Sequence, residues 1–215
     1  NADGSPEEIS GNALRCVAKY LYESGRIPKN RMCLESGGRL FEAELFLQEN
    51  QVTSVTVDMG KPDFNAEAVP VLRDGQVIDQ PFSTNGYDFR ITCLSMGNPH
   101  CVLFVPDVDG VDIQKIGPIL ENSSIFPERA NIAFATIVDP NSLRVRVWAR
   151  GVGNTVSSDD SACAVVAAAV EQHLCPIDED ILVRQPGGDL TIRRTNSGMI
   201  MTGDAKKDFE GMIEI

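Results

Sequence analysis

The run Ser161-Ala-Cys-Ala-Val-Val-Ala-Ala-Ala-Val170 restricts the fold of this 215-residue chain more than any other stretch. It is apolar on nearly every side, whereas a surface helix keeps a polar stripe, so this helix must be enclosed by other structure. It falls far short of the roughly 20 residues that cross a bilayer, so the enclosure has to be protein. Strand-like segments supply it. Leu143, Val145 and Val147 alternate with Arg144, Arg146 and Trp148, the pattern of a half-buried strand. Similar segments cover 40–47, 52–57, 87–94, 101–105, 131–138, 181–184, 189–193, 199–202 and 211–215. Turn signals punctuate them, at Ser36-Gly37-Gly38, Asp74-Gly75, Asp139-Pro140-Asn141 and Pro186-Gly187-Gly188. A second helix is read from Leu14, Val17, Ala18 and Leu21, ending at Gly25. The stretch from Lys61 to Asn85, with Pro62, Pro70 and Pro81, reads as loop-rich. Many strands with two helices predict an α+β fold, each helix wrapped by a curved sheet, in two comparable halves.

Charge narrows the partners. Lys and Arg number 19 against 31 Asp and Glu, a formal net charge of −12. Such a field draws neither nucleic acid nor an anionic membrane. No cationic segment leads into an apolar stretch at the N-terminus, so no signal peptide is read and a cytoplasmic location is expected. The six cysteines form no CxxC pair and the histidines are two, His100 and His173, so no metal site is expected. Cys16 and Cys163 fall in the apolar helical patterns and are expected to be buried, structural thiols. The first residues, from Asn1, read like the inside of a loop, as in a fragment or a processed chain.

Four stretches are rich in groups that bind polar ligands: Asn1-Ala-Asp-Gly-Ser5 with Ser10-Gly11-Asn12, then Met96-Gly-Asn98-Pro-His100, then Asn131, then Ala149-Arg150-Gly-Val-Gly153 with Ser158-Asp159-Asp160. Two of them precede the helices, where free backbone N–H groups form a clamp for a carboxylate. Asn amides and one Arg suit a zwitterionic amino-acid group. Plainer readings stand beside these. Ser10 and Ser158–Asp160 are also ordinary N-caps, Asn98 before Pro99 is a turn initiator, and Arg150 reads equally as a surface charge. Gly151-Val-Gly153 lacks the third glycine of a dinucleotide fingerprint.

Taken in order, Asn1-Ala-Asp-Gly-Ser, Gly11-Asn-Ala-Leu-Arg-Cys16, Met96-Gly-Asn-Pro-His-Cys101-Val, Phe126-Pro-Glu-Arg-Ala-Asn131, Val-Trp148-Ala-Arg-Gly-Val-Gly153 and Met201-Thr-Gly203 resemble diaminopimelate epimerase over nearly the whole chain. The resemblance implies two pseudo-symmetric domains, each a curved, mostly antiparallel sheet or barrel around a central helix. Residues 1–54 with 200–215 would form a partial N-terminal-type domain, and 55–199 a C-terminal-type domain. It further implies a homodimer and a small amino-acid substrate, diaminopimelate. The reaction it implies is cofactor-free (PLP-independent) interconversion of LL- and meso-diaminopimelate in lysine biosynthesis, by two cysteines acting as acid and base on opposite faces of the α-carbon.

By the same motif match, the cysteine positions are taken by Ser10 and Ser158, the expected catalytic positions. Asn1, Asn98, Asn131 and Arg150 correspond to residues that hold the distal amino-acid end, and Gly11 and Asn12 to one side of the reacting-carboxylate clamp. Asp159 and Asp160 stand on the other side, where the family has Gly and Thr or Ser, and Ala149 replaces a Glu. A thiol of ordinary pKa about 8.5 can be tuned to a thiolate, whereas a serine hydroxyl needs a dedicated base. Impaired turnover is therefore expected. Two alternatives remain open at this point. One is a proton-shifting isomerase resembling the phenazine-pathway isomerase, with Asp159 or Asp160 and His100 or Glu8 as acid and base. The other is a non-catalytic amino-acid-binding relative.

Overall fold

The computed structural model describes residues 10–212. In chain order the elements are α1 (Gly11–Glu23), β1 (Arg31–Ser36), β2 (Arg39–Gln48), β3 (Gln51–Gly60), β4 (Gln80–Thr84), β5 (Tyr87–Ser95), β6 (Pro99–Phe104), α2 (Ile113–Glu121), β7 (Asn131–Asp139), β8 (Ser142–Ala149), β9 (Gly153–Thr155), α3 (Asp159–Glu171), β10 (Ile181–Gln185), β11 (Gly188–Arg194) and β12 (Met199–Gly203). The architecture is α+β. The strands form one sheet in the order β1-β2-β3-β12-β11-β10-β8-β7-β6-β5-β4, with β9 added to β8. Among the described residues only the pairings of β6 with β7 and of β8 with β10 are parallel; the other pairings are antiparallel. No helix among the described residues is long and apolar enough to cross a membrane.

Period-two alternation sorts the central strands between two cores. Leu94 of β5, Val102 of β6, Ala133 and Ala135 of β7, and Val145 and Val147 of β8 pack in the core that also holds α1 and α3. Their neighbours Ile91, Cys93, Cys101, Leu103, Ile132 and Phe134 point the other way, into the core that includes Ile113 and Leu120 of α2. Every residue of α3 from Ala162 to Ala169 is shut off from solvent, so the all-round apolar run is enclosed as its composition demands.

Four expectations change. A third helix, α2, is present; Gly117 and Pro118 inside it hide its pattern in the sequence. Strands β1, β4 and β9 were not read from the sequence, and β4 falls inside the stretch taken as loop. No strand begins at Gly211: it and Met212 lie outside any helix or strand, and 213–215 lie outside the described residues. Cys16 is exposed rather than buried. The inward face of α1 is Gly11, Leu14, Arg15 and Ala18, which turns Cys16 and Val17 outward.

Gly117 sets the approach of α2 to the sheet, because a Cβ built there would lie 2.6 Å from Cγ of Trp148. Gly→Ala inside a helix ordinarily stabilises by about 0.5–1 kcal/mol. Here overpacking reverses the sign, and Gly117→Ala should cost about 1–3 kcal/mol, read as a lower urea midpoint.

Candidate active site

The site is built where the first turns of α1 and α3 meet. Ser10 caps α1, its hydroxyl accepting from the Ala13 N–H at 3.3 Å. Ser158 caps α3 in the same way, accepting from the Ser161 N–H at 3.3 Å. A Cβ built on Gly11 would lie 2.6 Å from Oδ2 of Asp159, so the two helix starts are in contact and only glycine fits at position 11.

The groups between the helix starts are this chain's own. The Arg15 guanidinium is ion-paired with the Asp159 carboxylate, and both side chains are almost wholly buried. Arg15 also donates to Oδ1 of Asn12 at 2.6 Å and, through Nε, to the Asp204 carbonyl at 3.0 Å. Gly203 gives the arginine room, since a Cβ there would come within 2.9 Å of Nε. Oδ1 of Asp159 and Nε2 of Gln185 are buried without hydrogen-bond partners among the described residues; Gln185 uses its Oε1 to accept from the Ser158 N–H at 2.9 Å.

A second set lies on the β6 side of the α3 start. Asp160 accepts from the Asn98 amide at 2.7 Å, from the Ser161 N–H at 2.9 Å and from the Ser158 hydroxyl. Asn98 Oδ1 lies 2.6 Å from Nε2 of the fully buried His100, and that nitrogen is 3.7 Å from Oδ2 of Asp160. Nδ1 of His100 is 3.4 Å from the Ser161 hydroxyl. The structure therefore brings Asn98, His100, Ser158 and Asp160 into one network, with Gly11 against Asp159 beside it and Asn12 joined to Asp159 through Arg15.

Asn131 and Arg150 are joined to each other. Asn131 spends its amide on backbone, donating to the Pro99 carbonyl at 3.2 Å and accepting from the Arg150 N–H at 2.8 Å. The Arg150 guanidinium donates to the Glu128 carbonyl at 3.1 Å. Asn1 and Glu8 lie outside the described residues. Sequence reasoning missed three residues. Arg15 was legible, since it stands on the inward face with Leu14 and Ala18. Gln185 carries no local signal. Glu121, at the end of the unread helix α2, accepts from the Trp148 indole at 2.7 Å and the Gly151 N–H at 2.8 Å, and so holds the turn that carries Arg150.

The two aspartates are driven apart. Burial, opposed by Arg15 and reinforced by Asp160, pushes the Asp159 carboxyl up from 3.8 to about 6. Burial also acts against charge on Asp160, but the His100 ring and the hydrogen bonds from Asn98, Ser158 and the Ser161 N–H outweigh it and hold that carboxyl below its usual range. One carboxyl that protonates readily beside one that stays ionised is an arrangement suited to proton transfer. Among the described residues no group of three or more His, Cys, Asp or Glu could hold a metal ion.

The fold recurs in solved structures. A hydroxyproline epimerase of Agrobacterium vitis, solved with trans-4-hydroxy-L-proline bound, superposes with a TM-score of 0.64 at 18% identity, over 88% of this chain and 61% of its own. A Bacillus anthracis phenazine biosynthesis protein of the PhzF family superposes with a TM-score of 0.63 at 16% identity, over 96% of this chain and 77% of its own. Sequence is more discriminating than shape. The diaminopimelate epimerase profile matches residues 92–207, and the diaminopimelate epimerase of Agathobacter rectalis is 40% identical across 100% of this chain and 78% of its own length. The chain belongs to the diaminopimelate epimerase family, a family of isomerases.

The raised Asp159 carboxyl has a consequence for stability. The folded state holds that proton more tightly than the unfolded chain, so its contribution is fullest below 3.8 and is lost as pH climbs to about 6. Asp159→Asn should remove that dependence. The fall in stability between pH 4 and pH 7 should shrink by about 3 kcal/mol at most, at 1.36 kcal/mol per pKa unit, measured by urea unfolding at both pH values.

Proposed function

We propose that this chain binds diaminopimelate or a close amino-acid relative, and that the family reaction, two-base α-proton transfer between the LL and meso forms, is impaired in it. One observation carries this reading: the helix starts present Ser10, Ser158 and the buried Arg15–Asp159 pair, with no thiol among them. Among the described residues the Ser10 hydroxyl makes only its capping bond, and the Ser158 hydroxyl is engaged with Asp160 and Ser161. Asp159 sets the chain's own carboxylate at a place where two helix N-termini would otherwise attract a ligand anion. Asn98, Asn131 and Arg150 are assigned to the distal amino-acid end, with the β6 loop and the 149–151 turn positioning them.

A second reading has its own support. Asp160 and His100 form a carboxylate–imidazole pair bridged by Asn98, and a likeness in fold to a PhzF-family protein accompanies it. On this reading Asp160 accepts a proton and His100 returns one in a double-bond migration.

Solvent deuterium uptake at the α-carbon of diaminopimelate, followed with calorimetric binding, tests the proposal. Binding with exchange slower than in an active relative by a factor of about 10² or more is expected, since each general acid or base contributes about 10²–10⁴-fold. Exchange at the relative's rate, or no binding at all, would overturn it. Ser10→Cys with Ser158→Cys should leave exchange slow, because Asp159 and Asp160 raise the pKa of a nearby thiol. Adding Ala149→Glu, Asp159→Gly and Asp160→Thr should then speed it, read in the same assay.

A further inference from the structure

Two cysteines outside the proposed site face each other across the hairpin that carries Asn98 and His100. Cys93 of β5 and Cys101 of β6 are direct partners in the antiparallel register. Opposed residues in such a ladder alternate between hydrogen-bonded pairs and closer, non-hydrogen-bonded pairs, with Cα atoms about 5.5 and 4.5 Å apart respectively. The backbone fixes which kind this is. Cys93 donates its N–H to the Val77 carbonyl at 2.8 Å, away from β6. Two residues on, Ser95 exchanges both its backbone bonds with Asp63, at 2.7 and 2.9 Å, and its β6 partner is Pro99, which has no N–H to give. Cys93 and Cys101 therefore occupy a non-hydrogen-bonded position, where side chains approach most closely. Its Cα separation falls inside the 4.4–6.8 Å range that disulfides span.

Both side chains point into the core around α2, and neither is accessible to solvent. The thiols interact directly, and that contact together with burial holds Cys101 well above the usual thiol range. The other described cysteines have no such partner in the strand register: Cys16 and Cys163 lie on helices, Cys175 lies outside any element, and Cys33 faces Glu42.

We propose that Cys93 and Cys101 are a modification site, a cross-strand pair that closes to a disulfide when the chain meets a small-molecule disulfide such as oxidised glutathione. In the first step the thiolate of one cysteine attacks a glutathione sulfur, breaking the glutathione S–S bond and releasing one glutathione thiolate. In the second, the other cysteine, deprotonated, attacks the protein-side sulfur of the mixed disulfide and releases the second glutathione. The protein loses two hydrogens, and one oxidised glutathione becomes two thiols. Burial and the raised pKa make the pair slow to enter this exchange, so the rate follows local opening of the hairpin. The closed ring would run through residues 93–101 and clamp the loop that presents Asn98 and His100 to Asp160.

The chain itself provides the assay. Trypsin cutting after Arg90 and Lys115 leaves both cysteines in one peptide, 91–115. The exposed Cys16 and Cys33 are first blocked with iodoacetamide. The folded protein is then exposed to oxidised glutathione in a series of urea concentrations below the unfolding transition, alkylated under denaturing conditions, and digested. The expected result is that peptide 91–115 loses two hydrogens and takes no alkyl group, faster at higher urea, and that dithiothreitol restores both alkylation sites. Recovery of the peptide doubly alkylated or doubly glutathionylated at every urea concentration would overturn the proposal, as would linkage of Cys93 or Cys101 to Cys163 or Cys175.

Discussion

The buried pair of Arg15 and Asp159 is the interaction that ties the two ends of this structure together. It joins the first helix to the third across 144 residues of sequence, and around it sit Gly11, Gly203, Asn12 and the Asp204 carbonyl. Two charges taken out of water repay their desolvation only when the remaining donors and acceptors are also met. The arginine meets that condition, with bonds to Asn12, Asp204 and the Met201 sulfur beside the ion pair. The aspartate does not, since one of its oxygens has no partner among the described residues, and burial, with Asp160 beside it, raises its carboxyl. A helix junction held by an imperfectly satisfied charge pair is sensitive to pH in a way that an apolar junction is not.

The asymmetry between the aspartates follows from where each one points. Asp159 turns toward α1 and finds a single cation in a dry surrounding. Asp160 turns toward β6 and finds an amide, a hydroxyl, a backbone N–H and an imidazole. Adjacent residues on one helix turn thus acquire different acidities from the elements packed against them, and those elements are brought there by the sheet order that sets β6 and β12 on either side of α3.

Much of this was legible beforehand. The enclosed helix followed from the absence of a polar stripe between Ser161 and Val170, and β8 followed from the alternation of Leu143, Val145 and Val147. Asn98, His100 and Ser158 to Asp160 stand out in the sequence by their chemistry, and the structure sets Asn98, His100, Ser158 and Asp160 in one hydrogen-bonded network. What escaped depended on partners distant in sequence. Pro81 argued against a strand at β4, yet β4 closes the sheet, where a missing N–H is tolerated. Gly117 and Pro118 masked α2, whose glycine is required by Trp148 rather than by the helix. Cys16 and Arg15 exchange places for one reason: the helix face read from Leu14, Val17, Ala18 and Leu21 is turned relative to the observed inward face of Gly11, Leu14, Arg15 and Ala18.

The third helix has one more consequence. From Ala162 to Ala169 its buried surface is built from methyl, isopropyl and thiol groups, short side chains that let the surrounding strands approach its backbone. A slender rod in a tight sleeve has no long side chains whose rotamers could absorb a change in diameter. An added carbon anywhere along it would have to displace the rod, and the rod would carry the displacement to its first turn. The relative placement of Ser158, Asp159 and Asp160 against the β6 loop is thus gauged by the width of residues several turns away, and the bore of the sleeve is as much a determinant of the site as the groups that line it.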